Sequence, residues 1–320
     1  MLRTLTALSS LALTFVSPAF AQWPDRPLKL IVPFSAGSSS DTIARIIAAR
    51  MGDALGQQIV IENRVGGSTV IGTDAVAKAA PDGYTLGLAN TTTHAASAAL
   101  VPNLPFDPVK DFIPIAMIGS SPFVLIGSTQ VNAANLKAFV ALAKAQPGKL
   151  SYASAGTGTL AHLAGELFKA ATGTVLTHVP YKGSGPAMVD LIAGQIQMVL
   201  GGTLSTAPHI KTGRARALAV TSLKRRTDAP ELPTLNETVA PGYEAFEWFA
   251  VFAPAGVPKR IVDRLHAELI KAANDTEVKD RLIANGMDFV GGTPAQLADT
   301  VKRDYAKWSK LIKETGLKAD

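Results

Sequence analysis

The feature that most constrains this chain is a repeated alternation of short apolar runs of strand length, small-residue loops and helical periodicity. Lys29 to Phe34 reads as a buried strand, Ser35 to Ser40 as a loop, and Asp41 as the opening of a helix. That helix carries Ile43, Ile46, Ile47, Met51 and Leu55 on one face. Ile59 to Glu62 reads as a second strand, followed by a Gly66–Thr69 loop and a helix toward Ala80. Tyr84 to Ala89 reads as a third strand and Thr91 to Leu100 as a short helix. A βαβαβα order of this kind specifies an α/β fold with a mostly parallel sheet covered by helices on both faces.

The pattern then repeats after a strand-rich run from Phe112 to Gly127. Helices are expected over 135–145, 159–171 and 186–193, with strands at 150–153, 177–179, 196–200 and 216–221. The proline-bearing stretch from Leu223 to Gly242 reads as an irregular connector. Beyond it the chain is helical. Pro258 starts one helix, with Ile261, Val262, Leu265, Leu269 and Ile270 on one face. Thr293-Pro294 caps another, with Leu297, Val301, Tyr305, Trp308 and Ile312 inward. Two α/β units of similar size therefore sit on one chain, with candidate crossovers near Phe123–Ser128 and Ala217–Thr221. This sets boundaries of 22–123 with 221–320 for one lobe and 124–220 for the other. A cleft between the lobes, lined by loops at strand ends, is the expected binding place.

Composition removes several function classes. Cysteine is absent, which excludes disulfide frameworks, thiolate zinc sites, iron–sulfur clusters and cysteine nucleophiles. The five histidines are widely spaced and form no HExxH, so no metal site is expected. The net charge of +6 is spread along the chain, with only Lys224-Arg225-Arg226 clustered, which argues against nucleic acid as a partner. The segment 1–21 has a basic Arg3, an apolar run from Leu5 to Val16 and a small-x-small end at Ala19-Phe20-Ala21. It reads as a secretory signal peptide, and its apolar run is too short to span a bilayer.

Four small-residue loops stand at strand-to-helix junctions: 35–40, 66–69, 155–159 and 183–185. Small side chains there expose backbone N–H groups at helix N-termini, where free donors and the helix dipole favour an anion. Ser and Thr hydroxyls add donors. Gly156-Thr157-Gly158-Thr159-Leu160-Ala161 fits a GxGxxA pattern, but the acidic residue a dinucleotide site needs about 20 positions later is missing. No P-loop and no GxSxG elbow occurs. Neither a catalytic residue nor a cofactor is therefore expected. His94, after three threonines at a strand end, is a candidate for the cleft wall or for a structural donor. Trp248, between Phe246 and Glu247 on one side and Phe249 on the other, reads as core.

Several motifs in register resemble one family. They are Trp23-Pro24-Asp25-Arg26-Pro27, Ile31-Val32-Pro33-Phe34 with its loop and Asp41, Glu62-Asn63-Arg64, and Ala79 to Thr85. His162 to Phe168, Val179 to Gly183 and Ala253 to Pro258 continue the likeness along the mature chain. The chain is similar to the Bug/TctC family, the periplasmic solute-binding proteins of tripartite tricarboxylate transporters. The resemblance implies a two-lobed periplasmic-binding-protein (Venus flytrap) fold of type II topology with the ligand cleft between the lobes. It also implies capture of a small mono- or dicarboxylate, aliphatic or aromatic, and delivery to membrane permease subunits by a monomer in the periplasm. The family's grip maps onto Phe34, Ser38, Ser39, Ser40 and Asp41 in one lobe and onto Ala155, Gly156, Thr157 and Thr159 in the other. Thr91, Thr92 and His94 form the expected third wall. Many relatives carry an aspartate at a strand end of the second lobe where this chain has Gly201, which lowers the expectation of an ammonium-bearing ligand. The rival readings are a periplasmic sensor that docks on a signalling receptor, and an exported α/β enzyme.

Overall fold

A computed structural model describes residues 23–318 apart from 285 and 290, and leaves the side chains of Leu204 and Phe289 undescribed. The signal-peptide expectation falls on 1–21, outside these residues. The chain runs β1 (Leu28–Val32), α1 (Ser39–Leu55), β2 (Ile59–Asn63), α2 (Val70–Ala77) and β3 (Thr85–Asn90). A π-helical turn (Thr92–Ala96) leads into α3 (Ser97–Leu100), and then comes a 17-residue strand, β4 (Phe112–Ser128). Next are α4 (Leu136–Ala145), β5 (Ser151–Ser154), α5 (Leu160–Thr172), β6 (Thr177–Pro180), α6 (Ser184–Ile192), β7 (Met198–Gly202), α7 (Thr203–Lys211) and β8 (Ala215–Val220). The last part holds α8 (Leu235–Thr238), β9 (Phe246–Pro254), α9 (Lys259–Asn274), α10 (Thr276–Ala284), β10 (Asp288–Phe289) and α11 (Pro294–Thr315).

The helix limits follow local chemistry. Ser38 caps α1, its hydroxyl accepting from the Asp41 amide, so the helix begins two residues earlier than the sequence pattern suggests. Gly56, at φ 68°, ends it in the left-handed conformation that an L side chain resists. Thr159 and Gly173 do the same for α5. α11 opens with a reciprocal capping box between Thr293 and Gln296. Each such cap is worth about 1 kcal/mol.

Strand pairing explains the two-lobed form. β1 pairs in parallel with β2 and β3, and β9 enters antiparallel between β3 and the first half of β4. In the second unit β5 pairs in parallel with β6 and β7, and the second half of β4 lies antiparallel between β7 and β8. Each unit thus has three parallel strands, then an antiparallel strand arriving from the other unit, then a fifth. This is the type II arrangement, and β4 serves both units.

The crossings meet at Thr221, which is fully buried. Its hydroxyl accepts from the Phe123 amide at 2.8 Å and lies against the Ala245 carbonyl, while its own amide donates to Phe123 O. α11 adds a second tie. Leu297 and Val301 pack with Ile31, Val76 and Trp248 of the first unit. Two turns later Trp308 and Leu311 join the cluster of Tyr152, Leu160, Leu163 and Phe168 in the second.

Candidate functional site

The C-terminal ends of β1 and β3 and the start of β9 all lie where the first unit meets the second. The β1–α1 loop carries the first candidate residues. Asp41 is buried, and its carboxylate accepts from the Gly37 amide, Arg45 Nε and Asn63 Nδ2, each at 2.9 Å. Burial pushes its pKa up, but these three donors win and hold it below the usual carboxylate range. Asn63 Nδ2 also donates to the Phe34 carbonyl at 3.0 Å, which fixes the start of the loop. Asp41 therefore holds the loop in shape with both oxygens engaged. Ser39 is exposed and Ser40 buried. Their amides occupy the first helical turn, where no intrahelical acceptor exists.

The β5–α5 loop is its counterpart. The Ser154 hydroxyl lies 2.7 Å from His178 Nε2 and within hydrogen-bond distance of both the Gly156 amide and carbonyl. Thr159 Oγ1 donates to Gly156 O at 2.8 Å, and the Gly158 amide donates to His162 Nδ1 at 3.2 Å. His162 and His178 stack face to face with centroids 3.9 Å apart, forming a rigid floor beneath the loop. Gly156 and Gly158 have φ of 140° and 78°, and a Cβ at Gly158 would lie 2.8 Å from Leu100 Cδ2 in α3. That contact brings the loop directly against the first unit. Ala155, Thr157 and Thr159 remain partly exposed, ahead of the free amides of the first turn of α5.

The third wall differs from expectation. Thr91 is fully buried, accepting from the Trp248 amide at 3.0 Å and donating to Phe246 O at 3.3 Å, so it stitches β3 to β9. His94 is 2% exposed. Its ring stacks on Phe252 at 4.4 Å and meets Phe112 at 4.7 Å, and Nδ1 lies 2.9 Å from Thr93 Oγ1. Burial drives its pKa down to about 3, so the imidazole is neutral. The π-helical turn buries all five of its residues and directs this histidine into an aromatic core rather than a cleft wall. Thr92 is the member of the trio whose hydroxyl reaches an acid on β9, Glu247, at 3.4 Å.

Asn90 and Glu247 were not among the expected residues. Asn90 Nδ2 donates to Glu247 Oε1 at 2.9 Å and lies 3.5 Å from Ser40 Oγ, so one amide joins the α1 terminus to an acid on β9. Burial raises the Glu247 pKa to about 7, opposed in part by the Thr92 hydroxyl. The available signal was an acid interrupting the run Phe246 to Phe249.

Comparison with known proteins agrees with this architecture. Residues 43–317 match the family model described as the tripartite tricarboxylate transporter family receptor. Protein BugT of Bordetella pertussis is 38% identical over 297 residues, covering 92% of this chain and 91% of that one. The solved structure of R. palustris Rpa4515 with adipate superposes with a TM-score of 0.84 at 35% identity, covering 92% of this chain and 99% of the other. MatC (Rpa3494) from Rhodopseudomonas palustris with bound malate gives 0.81 at 32% identity, covering 91% and 100%. No described helix is long and apolar enough to cross a membrane. The chain belongs to the tripartite tricarboxylate transporter receptor family, whose members are periplasmic solute-binding proteins rather than enzymes.

Proposed function

We propose that this protein captures a small organic mono- or dicarboxylate in the periplasm and delivers it to the permease subunits of a tripartite tricarboxylate transporter. The supporting observation is a pair of capped helix N-termini, α1 in one unit and α5 in the other, with the loop before α5 lying against Leu100 of the first unit. Residues 22–123 with 221–320 form one lobe and 124–220 the other, working as a monomer after residues 1–21 have directed export. The ligand carboxylate takes hydrogen bonds from the first-turn amides and hydroxyls of Ser39 and Ser40, with Phe34 and Ser38 shaping that wall. Ala155, Gly156, Thr157 and Thr159 close from the other side. Charge-assisted bonds of this type contribute about 1.5–3 kcal/mol each. That relatives hold adipate and malate supports a carboxylate of this size.

Titration calorimetry on Ser39→Asp and Thr157→Asp, after a thermal-shift screen of carboxylates, tests this reading. A tethered anion at either terminus should weaken binding by about 2 kcal/mol or more, roughly 30-fold. Ser222→Asp, in the connector, should bind like wild type. If both terminus variants also bind like wild type, the clamp is elsewhere.

A further inference from the structure

Glu247 is an acid in an apolar strand. Its neighbours Trp248, Ala250 and Phe252 pack with Leu297 and Val301, while Phe249, Val251 and Ala253 join the cluster beneath α1 and α9. Alternation puts Glu247 on the α1 side, just past the end of that cluster. On β4 its partner is Ser121; the next pair is Pro122 with Phe246, and after it Phe123 pairs with Gly202 of β7. Glu247 therefore stands at the crossing, about 7 Å along β4 from the C-terminal end of β7. It also shares Asn90 with Ser40, the buried serine of the proposed carboxylate clamp.

Its surroundings do not neutralise it. Among the described residues Asn90 and Thr92 donate to it, both to Oε1, and no lysine or arginine forms an ion pair with it. Both donors are neutral, and a glutamine would accept from them equally well. Ionising a partly buried carboxyl that has only neutral donors is costly, which is why burial raises its pKa, unless something supplies a partner for the second oxygen. At the nearby end of β7 stand Gly201 and Gly202, neither of which carries an ionisable side chain.

We propose that Glu247 is a specificity-determining residue of the cleft, accepting a hydrogen bond from a donor that the carboxylate ligand itself carries, a hydroxyl or an ammonium group. This rests on the carboxylate-binding function proposed above. With the ligand carboxylate at the α1 terminus and Glu247 one amide away, the donor belongs on a carbon close to that carboxylate. A second carboxylate at the same place would meet like charge, and a plain acid would leave the Glu247 oxygen without a partner once water is excluded. The high proton affinity that burial gives Glu247 suits an acceptor of strong bonds.

The test uses matched sets of plain, 2-hydroxy and 2-amino acids of three to six carbons, titrated calorimetrically into wild type, Glu247→Gln and Glu247→Asp. Wild type should prefer a donor-bearing member over its plain counterpart by at least about tenfold. Glu247→Gln keeps the bonds from Asn90 and Thr92 and should fold; it should bring the members of each set within about threefold of one another. Glu247→Asp, which keeps the charge, should retain the preference. Loss confined to the amino acids assigns the donor as ammonium, and loss shared with the hydroxy acids assigns it as hydroxyl. The proposal is overturned if wild type binds plain acids as tightly as their derivatives, or if the Gln variant keeps the preference. It is equally overturned if paired buffers show a proton taken up as a plain acid binds most tightly, since Glu247 would then donate. If wild type binds no acid in the series, the carboxylate reading itself fails, and that result is distinct from a flat preference.

Discussion

Replacing Thr221 with valine removes one oxygen from the point where the two chain crossings meet. The side chain is fully buried and the shape is nearly conserved, so the change is chemical rather than steric. Two groups lose a partner: the Phe123 amide, now 2.8 Å from Thr221 Oγ1, and the Ala245 carbonyl. The Phe123 carbonyl keeps the Thr221 amide at 3.0 Å and is not orphaned. A buried group left unsatisfied costs about 1–3 kcal/mol, and the added methyl recovers part of that, so Thr221→Val should destabilise by about 2–4 kcal/mol. Thr221→Ser keeps the hydroxyl and loses one methyl, which should cost about 1 kcal/mol. At roughly 2 °C per kcal/mol for a chain of this size, the valine variant should melt about 4–8 °C below wild type. Urea unfolding and calorimetric melting of the three proteins provide the measurement. A valine variant as stable as wild type, or more stable than the serine variant, would refute the assignment of Thr221 as the polar tie between the crossings.

Gly165→Ala in α5 should destabilise despite alanine's better helix propensity, because the new Cβ would lie 2.1 Å from the buried Tyr152 ring. Overpacking of about 1–3 kcal/mol outweighs the roughly 1 kcal/mol gained in the helix, and denaturant midpoints should show the net loss. Asp41→Asn should cost stability near pH 7, since its carboxylate accepts three hydrogen bonds, one of them the ion pair with Arg45. The lowered pKa means that this contribution is present above the unfolded value of about 3.9 and is lost as pH falls through the folded value. The gap between the wild-type and Asn midpoints should therefore narrow in acid; a gap that does not change with pH would show that the charge is not what matters.

Much of the architecture is legible in the residues because burial is periodic. Ile43, Ile46, Ile47, Met51 and Leu55 all lie in the core, as their spacing requires, and so do Leu265, Leu269 and Trp308. β9 is the element that the pattern conceals. Its last seven residues, Trp248 to Pro254, are all buried, because both faces of this central strand are covered, so the polar alternation that marks a half-exposed strand is absent. α7 is hidden by Pro208 inside it. At the site, the helix-capping serines and threonines announce themselves locally, by residue type and position. Glu247 does not, because its meaning comes from Asn90, 157 residues away in the chain. His94 shows the converse: a polar residue at a strand end satisfies the local pattern, and tertiary packing turns it inward onto Phe252.

The shared strand β4 also sets an order on assembly. Every strand of the second unit, β4 to β8, has been synthesised by residue 220, so its sheet then has all its members. The first unit is different, because β9 lies between β3 and β4 in space but follows both in the chain. Until residue 254 has emerged, the facing edges of β3 and the first half of β4 have no partner and stand open to any extended segment nearby. The unit that begins the chain is thus the last to finish. A polypeptide stalled before β9 would carry every strand of one sheet and an open-edged remainder of the other, with Trp308 and Leu311 of α11 still missing from the second unit's core, a state suited to capture by a holdase.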